Sequence, residues 1–183
     1  MSPAKPFWVF GYGSLMWNPG FATPETQAAR LHGWHRAFCI YSEHYRGTPR
    51  KPGLILGLLP GGACRGLAHR LPRNGYDAVR LYLRTREIDN DGVYEEEIRP
   101  IHLHDGRVVD ALVYLADRRH RQFAGKLPLD RAAALVRGGR GVTGTNVDYL
   151  RNTLVHLRDL GLRDRTLEEL ALRAGISGRA TRS

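Results

Sequence analysis

The sequence predicts an α+β fold in one domain, because strand signals fill its first two thirds and helical signals gather near its end. The length of 183 residues is typical of one domain, or of one domain with a small appendage. The hydrophobic fraction of 42% and the charged fraction of 25% are both near the globular norm, which argues against wholesale disorder. We therefore expect a single domain over residues 1–183, with a frayed tail at residues 177–183.

Aromatic and aliphatic segments predict the strands. Residues 7–10 form an apolar run that stops at Gly11, which indicates a short buried strand followed by a turn. Residues 17–30 contain two prolines and are predicted as mostly loop. The segment at residues 107–116 is nearly all apolar and is expected to be central. The other predicted strands are residues 33–43, residues 54–59 (ended by Pro60-Gly61-Gly62), residues 65–71 (ended by Pro72) and residues 93–103. The last of these is expected to form a hairpin with residues 107–116.

Apolar side chains three and four residues apart predict the helices. The first helix is expected to begin at an Asn74 cap, to place Val79, Tyr82, Leu83 and Arg86 on one face, and to end near Glu87, before a turn at residues 89–92. The other predicted helices are residues 130–137, residues 145–160, and a segment that starts at a capping box over residues 166–169 and ends near Gly175.

The formal charge of +10 arises from 28 basic and 18 acidic residues, and nearly all the basic residues are arginines. Such an excess is a feature of nucleic-acid-binding proteins. The densest cluster contains only Arg118, Arg119 and Arg121, acidic residues lie between the arginines, and no nucleic-acid-binding motif is present. We therefore expect no nucleic-acid partner, with a basic nucleic-acid-binding module as the less favoured alternative.

Several other classes of protein lack their signals. No apolar run approaches the roughly 18 residues of a membrane span, and the N-terminal apolar run is too short for a signal peptide. Cys39 and Cys64 form neither a disulfide framework nor a C-x-x-C pair. The eight histidines have no carboxylate or cysteine partners at a recognisable metal spacing. We expect a cytoplasmic protein with no metal and no membrane contact.

Two glycine-rich segments are candidate ligand sites. Gly11 and Gly13 flank Tyr12 directly after a strand, so consecutive N–H groups there could hold a carboxylate or an oxyanion, although a tight structural turn is equally compatible. Residues 139–144 spell G-x-G-x-x-G, the dinucleotide-binding fingerprint. Because they follow a helical segment rather than a strand, a helix-to-helix connection is favoured.

The acidic residues offer one candidate for proton transfer. Strand alternation would place Glu95 and Glu97 on one face and Glu96 on the other, and a solvated face is the simplest interpretation of that run. Glu87 instead lies at the end of the first amphipathic helix, at the rim of the expected core. Partial burial there would raise the pKa of its carboxyl group and make it a usable general base.

Four segments together resemble the ChaC family of γ-glutamylcyclotransferases. They are VFGYGSLMWNPGF at residues 9–21, Arg86-Glu87 followed shortly by Gly92-Val93-Tyr94, GVTGTNVDYL at residues 141–150, and LGLRD at residues 160–164. The resemblance extends from about residue 7 to residue 174. It implies a small mixed β-barrel with packed helices, and cleavage of glutathione to 5-oxoproline and cysteinylglycine without a metal or cofactor.

The resemblance also implies roles for particular residues. Glu87 matches the catalytic glutamate, although Asp89 and Asp91 are alternative bases, and Tyr149 aligns with a tyrosine that points toward the site in relatives. The expected substrate-binding residues of the first segment are Val9, Phe10, Gly11, Tyr12, Gly13, Ser14 and Leu15.

The implied reaction needs few protein groups. The α-amine of a γ-glutamyl compound can attack its own side-chain carbonyl, so no serine or cysteine nucleophile is required. One carboxylate moves a proton, and N–H donors stabilise the oxyanion. The expected partner is a small molecule, either glutathione or, as the alternative, another γ-glutamyl amine or peptide, acted on by a monomer or homodimer.

Overall fold

The computed structural model describes residues 7–89 and 92–176. The chain divides into two compact units. Within the described residues, the first unit contains residues 7–36, 60–89 and 92–120, and the second contains residues 37–59 and 121–176. Two long strands run through both units. The expectation of a single domain stays a prediction.

Five strands form a closed barrel in the order β1-β3-β2-β4-β5, and a second sheet has only two short strands. The barrel strands are β1 (Trp8–Gly11), β2 (Thr26–Ser42), β3 (Gly53–Arg70), β4 (Tyr94–Leu103) and β5 (Val108–Ala116), and the short pair is β6 (Arg140–Gly141) and β7 (Gly144–Thr145). The helices are α1 (Tyr76–Arg84), α2 (Leu129–Gly138), α3 (Asn146–Asp159) and α4 (Arg165–Arg173), with a 3-10 turn at Ser14–Met16 and a π-helical turn at Thr85–Asp89. The predicted α+β class with a small mixed barrel is confirmed.

β1 is the strand that delivers the candidate site. It pairs antiparallel with β3, where Val9 lies opposite His69, and parallel with β5, where Val9 lies opposite Leu112. All four residues of β1 are buried, because neighbours flank the strand on both sides. The predicted hairpin of β4 and β5 is also present, with Ile98 opposite Leu112. The first turn after β1 is therefore anchored in the core.

Two strand predictions were wrong in their limits. β2 begins at Thr26, inside the segment predicted as loop, because buried Ala29 and Leu31 already alternate with exposed neighbours before the predicted start at residue 33. β3 does not stop at residues 60–62. Gly61 and Gly62 take φ values of 104° and 69°, which glycine adopts without steric cost, so the strand passes through an irregular segment and continues.

α1 packs on the first unit's core through one stripe. Tyr76 and Leu83 are buried and Val79 packs beside them, whereas Tyr82 is 39% exposed, so the prediction that Tyr82 belongs to the same stripe as Val79 and Leu83 was wrong. The spacing of three and four residues from Tyr76 to Val79 to Leu83 defines the stripe. Gly75, not the predicted Asn74, is the N-cap, with a φ of 81°.

The second unit contains the three C-terminal helices. α2 buries Ala132 and Val136, α3 buries Leu150 and Leu157, and both lie where the predicted helices were placed. The prediction of a capping box at the start of α4 was wrong, because the Asp164 side chain accepts from the Leu167 amide and caps the helix.

The glycine-rich segment at residues 139–144 connects two helices of the second unit. The G-x-G-x-x-G segment forms the β6–β7 hairpin between α2 and α3, which confirms a helix-to-helix connection. No helix among the residues that the structure describes is long and apolar enough to cross a membrane. The predicted tail at residues 177–183 lies outside the described residues.

Candidate active site

The turn after β1, which we call the glycine loop (residues 11–15), folds back on itself. A Cβ atom at Gly11 would lie 3.1 Å from both the Leu15 carbonyl carbon and the Met16 amide nitrogen. Such contacts are tighter than nine in ten real Cβ contacts, so a side chain at this position would force the returning backbone to shift by a few tenths of an ångström. Val9 and Phe10, which precede the loop, are fully buried in β1.

Four side-chain contacts hold the glycine loop in place, one of them made by Tyr12 of the loop itself. Arg36 Nε donates to the Tyr12 carbonyl oxygen at 2.6 Å, and His69 Nε2 lies 2.9 Å from the Leu15 carbonyl oxygen. The Tyr12 hydroxyl donates to the Tyr114 carbonyl oxygen at 2.7 Å, and Arg86 Nη2 donates to Ser14 Oγ at 2.9 Å. None of these contacts uses an N–H group of the loop. The loop is thus rigidly positioned through its oxygen atoms.

Glu87 lies in the π-helical turn that extends α1. Widened π turns are rare inside helices and occur often at functional sites. The neighbouring Ile88 packs against the core cluster that contains Leu83. The Glu87 side chain is only 17% exposed, which confirms the expected position at the rim of the core.

The surroundings of Glu87 favour its protonated form more than water does. Burial raises the pKa of the carboxyl group, and Arg86, whose Nε lies 3.1 Å from Glu87 Oε1, lowers it only in part. The pKa of Tyr114 is also raised, first by burial and then by the charges of Glu96 and Glu87. A carboxyl group with a raised pKa can exchange protons closer to neutral pH than an ordinary glutamate can.

Arg86 connects Glu87 to the glycine loop. Besides its contacts with Glu87 and Ser14, its Nη1 donates to the carbonyl oxygens of Asn18 at 2.6 Å and Pro19 at 3.2 Å. The structure therefore brings together two of the predicted site elements, the loop and Glu87, through a third group. Only its place directly before Glu87 in the sequence pointed to Arg86.

The acidic run on β4 divides as predicted. The Glu96 side chain is 10% exposed, accepts from the Tyr114 hydroxyl at 3.0 Å, and forms an ion pair of 2.7 Å with Arg80. Glu95 and Glu97 pair instead with the more exposed Arg119 and Arg99. The predicted solvated face is thus correct for Glu95 and Glu97 but wrong for Glu96, since a tyrosine and an arginine together satisfy its charge.

Tyr149 lies in the second unit, on α3. Its ring stacks on Phe38 with centroids 5.5 Å apart, and the Arg46 guanidinium lies 5.1 Å from its centroid. Its hydroxyl oxygen accepts from the Leu56 amide at 3.4 Å. These contacts fix the ring, and a role in substrate binding stays a prediction.

Other candidate groups are less informative. Among residues 7–89 and 92–176, no group of three or more His, Cys, Asp or Glu side chains could hold a metal ion. The side chains of Asp89 and Asp91, the alternative bases, lie outside the described residues. In the arginine cluster, Arg119 pairs with Glu95 and Arg121 with Glu43, so acidic partners divide its charge.

Known proteins are similar to this chain in sequence and in fold. The chain is 39% identical over 165 residues to the glutathione-specific gamma-glutamylcyclotransferase of Escherichia coli (strain K12), covering 90% of this chain and 71% of that protein. It is 30% identical to the Schizosaccharomyces pombe protein with the same description, covering 96% and 95% of the two chains. A crystal structure of a gamma-glutamyl cyclotransferase specific to glutathione from yeast superimposes with a TM-score of 0.83 at 22% identity, covering 94% of this chain and 96% of that one, and so has the same fold.

One family model matches nearly the whole chain. The sequence model of the ChaC-like protein family matches residues 7–175, which include the glycine loop, Glu87 and α3. The chain therefore belongs to the ChaC-like family.

Proposed function

We propose that this protein is a γ-glutamylcyclotransferase that cleaves glutathione to 5-oxoproline and cysteinylglycine. The observation that carries the proposal is the placement of the half-buried Glu87 carboxyl group beside a rigid glycine loop, with Arg86 contacting both. The similarity to glutathione-specific enzymes of Escherichia coli and Schizosaccharomyces pombe supports the choice of substrate.

In the proposed reaction the substrate supplies its own nucleophile. The α-amine of the γ-glutamyl group attacks the γ-carbonyl carbon, a new C–N bond closes the five-membered lactam, and the bond to the cysteine nitrogen breaks. An enzyme that holds the amine and the carbonyl carbon of one substrate molecule at attack distance can lower the barrier by on the order of 7–11 kcal/mol. No water is consumed.

Glu87 is the proposed general base and acid. Its carboxylate takes the proton that the α-amine loses as the new bond forms, and then returns that proton to the departing cysteine amine. The raised pKa of Glu87 supports this double role, because the group must both accept and release a proton near neutral pH.

The glycine loop is the proposed anchor for the γ-glutamyl group. Arg36 and His69 hold its carbonyl oxygens at Tyr12 and Leu15, and backbone N–H groups of the loop so positioned are proposed to bind a substrate carboxylate or the developing oxyanion. Val9 and Phe10 belong to this anchor through the strand that positions it. Tyr149 is proposed as a further substrate contact.

The substrate claim is tested by incubating the protein with glutathione and measuring 5-oxoproline and cysteinylglycine. Glutathione acetylated on its α-amine is a sharp control, since it keeps the scissile bond but lacks the nucleophile. We expect equal amounts of the two products from glutathione and none from the acetylated compound. Cleavage of the acetylated compound would indicate hydrolysis and overturn the cyclisation, and no product from glutathione would overturn the substrate.

A panel of other γ-glutamyl amines and peptides tests the alternative substrate class. We propose that glutathione has the highest kcat/KM, because the two relatives described above are specific to it. The proposed setting is the cytoplasm, with a small-molecule substrate, no cofactor or nucleic-acid partner, and a monomer or homodimer as the active form.

A further inference from the structure

The guanidinium of Arg86 uses all three of its nitrogen atoms. Nε faces Glu87 Oε1 at 3.1 Å, and Nη2 donates to Ser14 Oγ at 2.9 Å. Nη1 is shared by three oxygens, those of the Asn18 and Pro19 carbonyls and the Tyr82 hydroxyl. One planar group therefore links the π-helical turn, α1 and the chain that follows β1.

This arrangement exceeds what a surface ion pair requires. The Arg86 side chain is only 20% exposed, and most of its hydrogen bonds go to oxygens that carry no charge. Its targets are separated in sequence, with Ser14 72 positions away from Arg86. A lysine ammonium is a single point of charge, so it could not reach Glu87 and Ser14 in the same fork geometry.

We propose that Arg86 is a positioning residue that orients Glu87, stabilises the negative charge of its carboxylate through their ion pair and fastens the glycine loop to it. This inference rests on the proposed function for its catalytic meaning. Arg86 is not proposed to contact the substrate, and it acts on the reaction only through Glu87 and the glycine loop. By holding Oε1, it directs the carboxylate relative to the loop that is proposed to bind the γ-glutamyl group.

The charge of Arg86 has a measurable consequence for Glu87. Burial raises the pKa of Glu87, and the Arg86 guanidinium lowers it. Among the residues that the structure describes, Tyr114 on β5 also senses the charge of Glu87, and its own pKa is raised, so it stays neutral at ordinary pH. Replacing Arg86 with a neutral residue should therefore raise the pKa of Glu87 and shrink the fraction available as base.

Two variants separate the charge from the geometry. Arg86→Gln removes both, whereas Arg86→Lys keeps a positive charge but loses the fork. Arg84→Gln is the matched control, because it removes one positive charge from an exposed position two residues earlier on α1. Thermal unfolding shows which variants are folded, and kcat/KM for glutathione is measured as a function of pH.

We expect both Arg86 variants to lose about 100-fold in kcat/KM at neutral pH, the size of effect that a small misplacement produces. In Arg86→Gln the fall of kcat/KM on the acidic side of the pH profile should also move to higher pH. In Arg86→Lys this fall should stay near its wild-type position. Arg84→Gln should match the wild type in both respects. The proposal would be overturned if Arg86→Gln had the wild-type kcat/KM and the wild-type pH profile. It would also be overturned if kcat/KM fell in Arg86→Gln while the acidic side of the pH profile stayed in place.

A second readout does not depend on activity. The carboxyl carbon of Glu87, assigned by its absence in Glu87→Gln, is titrated by NMR in wild type and in Arg86→Gln. Titration at higher pH in Arg86→Gln supports the proposal, and an unchanged titration overturns it. If the wild type made no 5-oxoproline, the proposed function would fail while this titration still decided whether Arg86 controls Glu87.

Discussion

The imidazole of His69 donates through Nε2 to the carbonyl oxygen of Leu15, at 2.9 Å. A carbonyl oxygen can only accept, so this nitrogen must carry the proton, and Nδ1 accepts from the Thr26 hydroxyl at 3.0 Å. The neutral ring with its proton on Nε2 satisfies both partners. One buried side chain on β3 thus joins β2 to the glycine loop in a single protonation state.

This buried ring predicts a loss of stability at acidic pH. Burial lowers the pKa of His69, although the bond to Leu15 opposes that effect. The unfolded chain binds a proton at His69 below its ordinary pKa of about 6.5, whereas the folded protein does so only at lower pH. The free energy of unfolding should therefore fall as the pH drops below about 6.5, because the unfolded state binds more protons.

Urea unfolding at pH 7.5 and pH 5.5 measures this effect. We expect the loss of stability between the two values to be smaller in His69→Gln than in wild type, since glutamine keeps a donor for Leu15 but does not titrate. His104→Gln, at an exposed position, should leave the loss unchanged. Equal losses in wild type and His69→Gln would show that His69 is not the group responsible.

Gly66→Ala should destabilise the barrel. A Cβ atom at Gly66 would lie 2.2 Å from the Gly11 carbonyl oxygen and 2.9 Å from Phe10 Cζ, so β1 and β3 must separate to admit it. Overpacking of this kind costs on the order of 1–3 kcal/mol. Because the displaced atom belongs to Gly11, the activity should fall as well.

Gly138→Ala is the matched control for that substitution. It is the last residue of α2, and an added Cβ atom would meet nothing within 4 Å. Alanine there should raise stability by roughly 0.5–1 kcal/mol, because it favours helix and restricts the unfolded chain. Chemical denaturation of both variants measures the change in the free energy of unfolding, which should be negative for Gly66→Ala and positive for Gly138→Ala. An unchanged free energy of unfolding in Gly66→Ala would contradict the close packing of β1 on β3.

Asn146→Ala should destabilise the second unit. The side-chain amide of this fully buried residue accepts from the Leu54 amide at 2.7 Å and donates to the Leu54 carbonyl oxygen at 2.8 Å, as a neighbouring strand would. Alanine leaves both buried backbone groups without a partner, at a cost on the order of 1–3 kcal/mol for each.

The control for this substitution is Asn152→Ala, on an exposed turn of the same helix. Its effect should lie within about 0.5 kcal/mol of zero. Urea denaturation provides the comparison. If Asn146→Ala were as stable as Asn152→Ala, the pairing of Asn146 with Leu54 would have no energetic importance.

The sequence predicted the elements whose pattern is local. The apolar runs of β1 and β5 and the Asp-Gly turn between β4 and β5 were sufficient to place those strands. The break expected at residues 60–62 failed for a physical reason, since glycine and proline permit irregular backbone as readily as they end a strand. The local sequence cannot distinguish an irregular segment inside a strand from the end of a strand, because the neighbouring strands that pair with it are distant in the sequence.

The candidate site divides in the same way. Glu87 and the glycine loop could be found from position and resemblance, and the structure places both in contact with Arg86. Arg36 and His69 could not be found, because their partners are carbonyl oxygens of residues far away in the chain. A buried cation that contacts backbone oxygens leaves no charged partner to detect in the sequence.

The most direct test of the central claim is the rate of 5-oxoproline formation from glutathione by Glu87→Gln. Glutamine is nearly isosteric with glutamate but cannot accept a proton at neutral pH. Glu95→Gln is the control, because Glu95 forms an exposed ion pair with Arg119. We expect Glu87→Gln, folded as the wild type is, to form no 5-oxoproline above the uncatalysed rate, and Glu95→Gln to keep the wild-type kcat/KM. A wild-type rate in Glu87→Gln would contradict the central claim.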